Sequence, residues 1–359
     1  MAKRDDLDFG LTRRSIIGGA AALATASLAP LAWAGDASSL VAKPPAGFKP
    51  MTKPGRVVKV TKGNDFASLM QPNQLWPKAD VAKSMVERAL MELTSAPNLK
   101  EALGKFIHKD DVVALKPNGI AGQSGATMAA NAELVMPVID ALIALGVPAE
   151  KITVYEQFPS YLKGTRIGGK GNKLPAGVKT GIHMNSVTEM DEITVYKGVK
   201  TKYVKFLTEA TAVINFTQVK DHSICGFTGC LKNITHGSII NPGKHHGAGA
   251  HAQIAALYNH EIVRSRVRLH IIDAYKIIYD KGPLDKDPKR RIPYGAVFAT
   301  TDPVAMDTIG WKIIDQARKD NGMKSLAQVG REPKHIAMAA DLGLGAHAES
   351  KIKLSEVAL

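Results

Sequence analysis

Five of the eleven histidines and both cysteines of this 359-residue chain fall between His222 and His251, in the run HSICGFTGCLKNITHGSIINPGKHHGAGAH. The same run carries Lys232, Asn233 and Lys244. Histidine and cysteine ligate soft or borderline metals, and histidine also carries protons near neutral pH. A site built from this segment is therefore the first expectation. At about 100° per residue, a helix starting near His222 would hold Cys225, Gly229, Lys232 and His236 within about 40° of one another. That stripe offers thiol, amine and imidazole, and Gly229 would let a ligand approach the backbone closely. Gly237 ends the helix. The following loop, Asn241 to Gly247, carries Lys244, His245 and His246 and is suited to close over an anion.

On a regular helix Cys225 and Cys230 would point about 140° apart, with Cα atoms about 8–9 Å distant, too far to bridge. Three states stay open: a disulfide, which requires the helix to start after Cys225, a pair of free buried thiols, or metal or cluster ligands. The spacing His-x2-Cys-x4-Cys-x5-His matches no standard zinc or iron–sulfur signature.

The elements that would position these residues alternate between strand and helix. Strand-like runs are Arg56–Val60, Val112–Leu115, Ile152–Tyr155, Ala212–Phe216, Val267–Ile272 and Ala296–Ala299, and helical patterns cover Ala79–Leu93, Ala132–Leu145 and Ala252–Arg264. Asp302 and Pro303 have the N-cap and first-turn chemistry of a helix reaching about Arg318. The expected fold is α/β, a mainly parallel sheet with helices on both faces. Residues 159–205 break the rhythm and are expected to form an inserted β-hairpin or lid. In such sheets ligands bind beyond the carboxyl ends of the strands. Lys116 and Asn118, Glu156, Lys220 and His222, and Asp273 all sit at such ends.

Two glycine patterns mislead or stay weak. Gly164-x4-Gly169-Lys170 has Gly171 where a phosphate-binding Walker loop needs Ser or Thr, with no strand leading in, so it is rejected. Gly119-x2-Gly122-x2-Gly125 lacks dinucleotide spacing, but its backbone N–H groups could cradle an anion.

The first 34 residues read as an export signal. Thr12-Arg13-Arg14-Ser15-Ile16-Ile17 is a twin-arginine motif, an apolar stretch runs to Leu31, and Ala32-Trp33-Ala34 is a small-x-small cleavage site. The stretch is short and holds Pro30, so cleavage after Ala34 is expected, with no stable membrane insertion afterwards and an exported, periplasmic location. Residues 35–54 would form an extended leader before an α/β domain over 55–359. Loss of the signal alters the net charge of +14 by one unit. That excess favours anionic small molecules. The basic residues are scattered, with no aromatic-interleaved patch, so nucleic acid is not an expected partner.

Leu115-Lys116-Pro117-Asn118, Val213-Ile214-Asn215 running into Val219-Lys220-Asp221-His222, and Thr228-Gly229-Cys230-Leu231-Lys232-Asn233 together resemble the domain of unknown function 362 family. Further matches are Asp273, Gly282-Pro283, Thr301-Asp302-Pro303-Val304-Ala305-Met306-Asp307 and Leu342-Gly343-Leu344-Gly345. Some members are fused to iron–sulfur ferredoxin modules, so the resemblance implies a redox or metal setting. This chain has no ferredoxin-type cysteine run of its own. Phe227 to Lys232 is also loosely similar to the lactate racemase family, in which a Gly-rich turn, a lysine and histidines hold a nickel cofactor over a hydroxy acid.

The expectation is an exported protein with a metal- or cofactor-assisted site for a small anionic molecule, with an exported redox partner. Lys116, Glu156, Lys220, Lys232 and Asp273 are the candidate catalytic residues. Asn118, Gly229, Asn233 and Lys244 would bind a cofactor, and His222, Cys225, Cys230 and His236 would hold a metal ion or iron–sulfur cluster. The alternative is a non-catalytic metal-binding or accessory subunit of an exported redox complex.

Overall fold

The computed structural model describes residues 40–359 except 64, 126 and 170. The twin-arginine motif and the cleavage site lie outside the described residues. The strands are β1 (Arg56–Thr61), β2 (Val113–Lys116), β3 (Ile152–Glu156), β4 (Lys179–Ile182), β5 (Ile193–Thr194), β6 (Lys200–Thr201), β7 (Ala212–His222), β8 (Gly226–Phe227), β9 (Val267–Ile278), β10 (Arg291–Thr300) and β11 (Lys353–Ala358). All but β5 and β6 form one nine-stranded sheet in the order β11-β1-β10-β9-β7-β2-β3-β4, with β8 paired to the end of β7. The run β9-β7-β2-β3-β4 is parallel throughout, and β1 pairs parallel with β11. The antiparallel pairs are β1 with β10, β10 with β9, and β7 with β8. The fold is α/β with a mainly parallel sheet, and β5 and β6 form a small antiparallel hairpin.

Every residue of β7 is buried, because this central strand is covered on both faces. Ile214 and Phe216 point into the apolar core beneath helices α1 (Ala79–Thr94), α2 (Leu99–Leu103) and α3 (Ala132–Leu145). In α1 the buried positions Val81, Ala82, Met85, Val86, Ala89, Leu90 and Leu93 recur at helical spacing, which gives one apolar face. On the opposite face of β7, Asn215 and Thr217 meet helix α4 (Gly229–His236) through the Cys230 and Gly229 carbonyls. The short helix α5 (Pro242–Gly247) follows, then α6 (Ala250–Asn259), α7 (Pro303–Asp320) and α8 (His335–Asp341). Helix α7 packs on α4 and β7, and α8 packs on α6.

Three features depart from expectation. β7 runs on to His222, because its polar second half is satisfied by other elements and not by water. Part of the expected insertion belongs to the main sheet, since β4 lies beside β3; the remainder supplies the β5–β6 hairpin. Helix α4 begins at Gly229, so Cys225 precedes it and does not share a helical face with Lys232 and His236. The extended leader, where described, lies along the domain: Met51 N–H donates to the Lys105 carbonyl and Ala42 N–H to Ser265 Oγ.

Candidate functional site

Lys116 ends β2, Glu156 ends β3, and Lys220 and His222 end β7, so all four meet the carboxyl edge of the parallel strands. Lys116 Nζ lies 3.0 Å from Glu156 Oε1, and both side chains are buried. Lys116 also donates to the Pro117 carbonyl at 2.7 Å. The carboxylate is further held by the Gly119 and Gln157 N–H groups at 2.7 and 2.6 Å. The backbone cradle expected in the glycine run therefore has one N–H serving the protein's own carboxylate. A Cβ on Gly119 would strike the Tyr161 backbone, and Gly122 and Gly164 press on each other. Those glycines permit two backbones to meet.

Lys220 is the second buried amine. Its Nζ donates to Asn118 Oδ1 at 2.6 Å. An ammonium or amine proton fixes that oxygen as acceptor, and the amide orientation then propagates. Asn118 Nδ2 donates to Asn233 Oδ1 (2.8 Å), Asn233 Nδ2 to Asn215 Oδ1 (2.7 Å), and Asn215 Nδ2 to His270 Nδ1 (3.0 Å). His270 therefore carries its proton on Nε2, facing the Tyr258 hydroxyl at 3.1 Å. Motif residues Asn118, Asn215 and Asn233 form one directed chain that aims Lys220.

Lys232 is the third, projecting from α4 and buried. Burial lowers its pKa, as it does that of Lys116, where Glu156 opposes the shift. Lys220 is pushed down to about 7, by burial first and then by Lys232, with Lys116 adding to the effect and Glu156 and Asp285 opposing it. Three amines thus share a dry region in which the directly paired carboxylate is Glu156. Such an arrangement is unfavourable until an amine loses its proton or an anion joins it.

Beside Lys232 stands a group of imidazoles. His246 on α5 stacks on His222 with ring centroids 5.4 Å apart and lies 4.6 Å from His236, which is 6.4 Å from His245. Their hydrogen bonds set the tautomers. His245 Nδ1 is 2.9 Å from Gln253 Oε1, an acceptor, because Gln253 Nε2 donates to the Tyr196 carbonyl. Thr235 spends its hydroxyl proton on the Leu231 carbonyl, so its oxygen accepts from His236 Nδ1. The Pro242 carbonyl accepts from His246. Nε2 of His236, His245 and His246 is therefore in each case a buried lone pair with no partner among the described residues. Burial holds all three below the ordinary histidine range, His246 at about 3, with Lys232 the next cause for His236 and His246. His222 has the opposite tautomer, since its Nδ1 accepts the Ile224 N–H. His335 on α8 joins from far along the chain, 3.4 Å from His251 between Nδ1 atoms.

The candidate metal ligands do not form a coordination set. Among the described residues no group of three or more His, Cys, Asp or Glu side chains is arranged to hold a metal ion. Both cysteines are free and buried, although α4 does begin after Cys225 as a disulfide would require. Burial raises the Cys225 thiol to about 11 and pushes Cys230 well above its usual value, the latter also through Asp307. Such thiols are poor nucleophiles and ligands.

Gly229, expected at a cofactor, serves the fold. It has φ +55°, and a Cβ there would collide with the Asp307 carboxylate. Asp307 accepts the Cys230 and Leu231 N–H groups at 2.6 and 3.0 Å, capping α4 from α7. Asp273 stands apart as well: it accepts Asn131 N–H and Nδ2, both at 2.8 Å, and the Tyr275 N–H. Lys244 lies on the exposed side of α5. Lys116, Glu156, Lys220, Asn118, Asn233 and Lys232 do come together, with His222 and His236 alongside.

Sequence reasoning missed His183, His335 and the capping role of Asp307. His183 Nε2 meets the Gly237 carbonyl at 3.1 Å, and a Cβ on Gly237 would crowd Lys116 Cε. Only the Thr-Asp-Pro motif around Asp302 gave a signal for Asp307, and it pointed to a cap on its own helix. Asp302 is that cap, accepting the Ala305 N–H at 2.8 Å.

No curated protein matches the chain. Among solved structures it is similar to the lactate racemase apoprotein from Thermoanaerobacterium thermosaccharolyticum, with 11% identity and a TM-score of 0.37. The match covers 68% of this chain and 54% of that one, so the chain spans about half of that protein's length. The family comparison covers the strands and helices that carry the lysines, the asparagine chain and the Asp307 cap. Matched over residues 113–312, this chain belongs to the family described as Domain of unknown function (DUF362).

Proposed function

We propose that the chain is an enzyme that binds a small anionic molecule at the carboxyl edge of its sheet, through Lys116, Lys220 and Lys232. The observation that carries this reading is that Lys220 is buried within the influence of both Lys116 and Lys232, while only Lys116 is paired directly with a carboxylate, Glu156. An anion placed among them would supply the missing negative charge. The unprotonated Nε2 atoms of His236, His245 and His246 would accept hydrogen bonds from the bound molecule. Helix α5, with its outer face exposed and His245 and His246 turned inward, is suited to open and close over the site.

Enclosure supports an enzyme over a carrier or accessory subunit. A carrier would expose its histidines and thiols to a partner, whereas both cysteines here are fully buried and Lys116, His222 and Lys232 are covered. We further infer export, on the strength of the twin-arginine motif and the Ala32-Trp33-Ala34 cleavage site.

The test is thermal stabilisation by acetate, pyruvate and inorganic phosphate, measured for the wild type and for Lys232→Met. Stabilisation that grows with anion concentration and is lost in the variant is the expected result. If none of the three anions shifts the wild-type melting temperature beyond a chloride control of equal ionic strength, the reading fails.

A further inference from the structure

The three lysines of the site are not equivalent. Lys116 is engaged by a carboxylate at 3.0 Å and a carbonyl at 2.7 Å, which hold it as an ammonium ion. Lys232 is buried beside the Cys225 thiol with no carboxylate paired to it among the described residues, and its charge is open to an anion. Lys220 is fully buried with no carboxylate paired to it among the described residues, and its hydrogen bond goes to a neutral amide, Asn118. The Cys230 carbonyl accepts from Asn215 Nδ2 and the Lys116 and Phe216 carbonyls from Asn233 Nδ2, so the far end of the chain independently turns Asn118 Oδ1 toward Lys220, which must donate to it. The remaining valence of a neutral Lys220 nitrogen, its lone pair, points away from Asn118. A lysine desolvated beside other cations is the arrangement that makes an amine nucleophilic.

We propose that Lys220 is a covalent catalytic residue that forms a Schiff base with a small anion carrying a carbonyl next to its charge, a 2-oxo carboxylate. This rests on the anion-binding reading above. The nitrogen lone pair of Lys220 attacks the carbonyl carbon, and the C=O π electrons move to oxygen. The oxygen then leaves as water, taking one proton from the amine and one from solvent, and a C=N bond to Lys220 remains as the iminium ion. No oxidant or reductant is consumed. The iminium adds a cation between Lys116 and Lys232, so the carboxylate of the same molecule is needed to balance it. An uncharged ketone lacks that balance. Asn118, Asn233 and Asn215 act as positioning residues, since each holds the next amide in the orientation that aims Lys220.

The experiment is reductive trapping of the wild-type protein with pyruvate and sodium cyanoborohydride, followed by peptide mass mapping. The expected result is one adduct on Lys220, heavier by the mass of pyruvate less its oxygen. Acetone at the same concentration should label Lys220 at least tenfold less. Lys220→Arg should carry no adduct in its corresponding peptide, and inorganic phosphate should protect the wild type, a measurement that needs no variant to fold. Labelling confined to exposed lysines, or equal with acetone, overturns the inference. Thermal stabilisation by pyruvate is measured in parallel. Stabilisation without an adduct removes Lys220 as nucleophile and leaves the anion site standing; absence of both removes both.

Discussion

The carboxylates that brace this fold and the amines at its sheet edge are equally buried, yet they differ in how far their hydrogen-bonding capacity is used. Asp302 accepts from Gly55, Ala305 and Ala346 N–H groups, with Gly345 packed where any side chain would strike it. Asp307 accepts from two N–H groups beneath Gly229. Asp221 takes Arg331 and the Gly282 N–H. These groups are saturated by the chain itself. Across α4, three imidazole nitrogens have no hydrogen-bond partner among the described residues, and Lys232 is buried without a paired carboxylate. Buried polar groups are rarely left unsatisfied, so a cluster of such deficits beside the buried lysines points to a place for a ligand.

The contrast is sharpest at Lys116, which belongs to the site yet is paired like a brace. Lys116→Met would leave Glu156 as an unpaired buried charge, and a loss of about 3–5 kcal/mol is expected in denaturant unfolding, nearer the lower figure because two N–H groups still hold the carboxylate. A loss under about 1 kcal/mol would mean the pair is not a brace. Asp307→Ala comes next. It strands the Cys230 and Leu231 N–H groups and should cost about 2–3 kcal/mol, while anion binding per folded molecule stays unchanged.

The histidines give a smaller, pH-dependent signal. Burial lowers His183 to about 4 and His246 and His270 to about 3. In the unfolded chain each would titrate near 6.5. Between these values the unfolded state binds more protons, so stability is full above about pH 6.5 and falls as pH drops toward the folded pKa. His246→Leu should reduce that slope by up to about 1.4 kcal/mol per pH unit between pH 6 and 4. An unchanged slope in urea titrations would show that His246 is already solvated. Smallest of all, Lys232→Met should alter stability without added anion by no more than about 1 kcal/mol, and should raise it if anything, because a buried amine is replaced by an apolar group. A large loss would mean that Lys232 is a brace after all.

Much of the framework was legible from pattern. Helix α3 and the Asp302–Pro303 start of α7 follow from apolar spacing and capping chemistry, and the strand ends located Lys116, Glu156 and Lys220 on one edge. The second half of β7 was not legible. Apart from Val219, Thr217 to His222 is polar, and only packing against α4 and β9 makes it a buried strand. The His222–His251 run reads as the chemical segment, and Cys225 does feel the charge of Lys232, but not from a shared helical face. A helical register assumed from His222 placed Cys225 on the face of Lys232, whereas the β7–β8 turn occupies that stretch.

By itself, then, the sequence determined the α/β alternation and which residue types crowd the sheet edge, because these depend on local periodicity and strand termini. Only the tertiary structure decided which polar groups were satisfied. Asp307 reaches α4 from α7, and His335 joins from α8, contacts between residues far apart in the chain. Whether a buried carboxylate becomes a cap, or a buried amine is left wanting an anion, depends on partners that folding alone brings within hydrogen-bond distance.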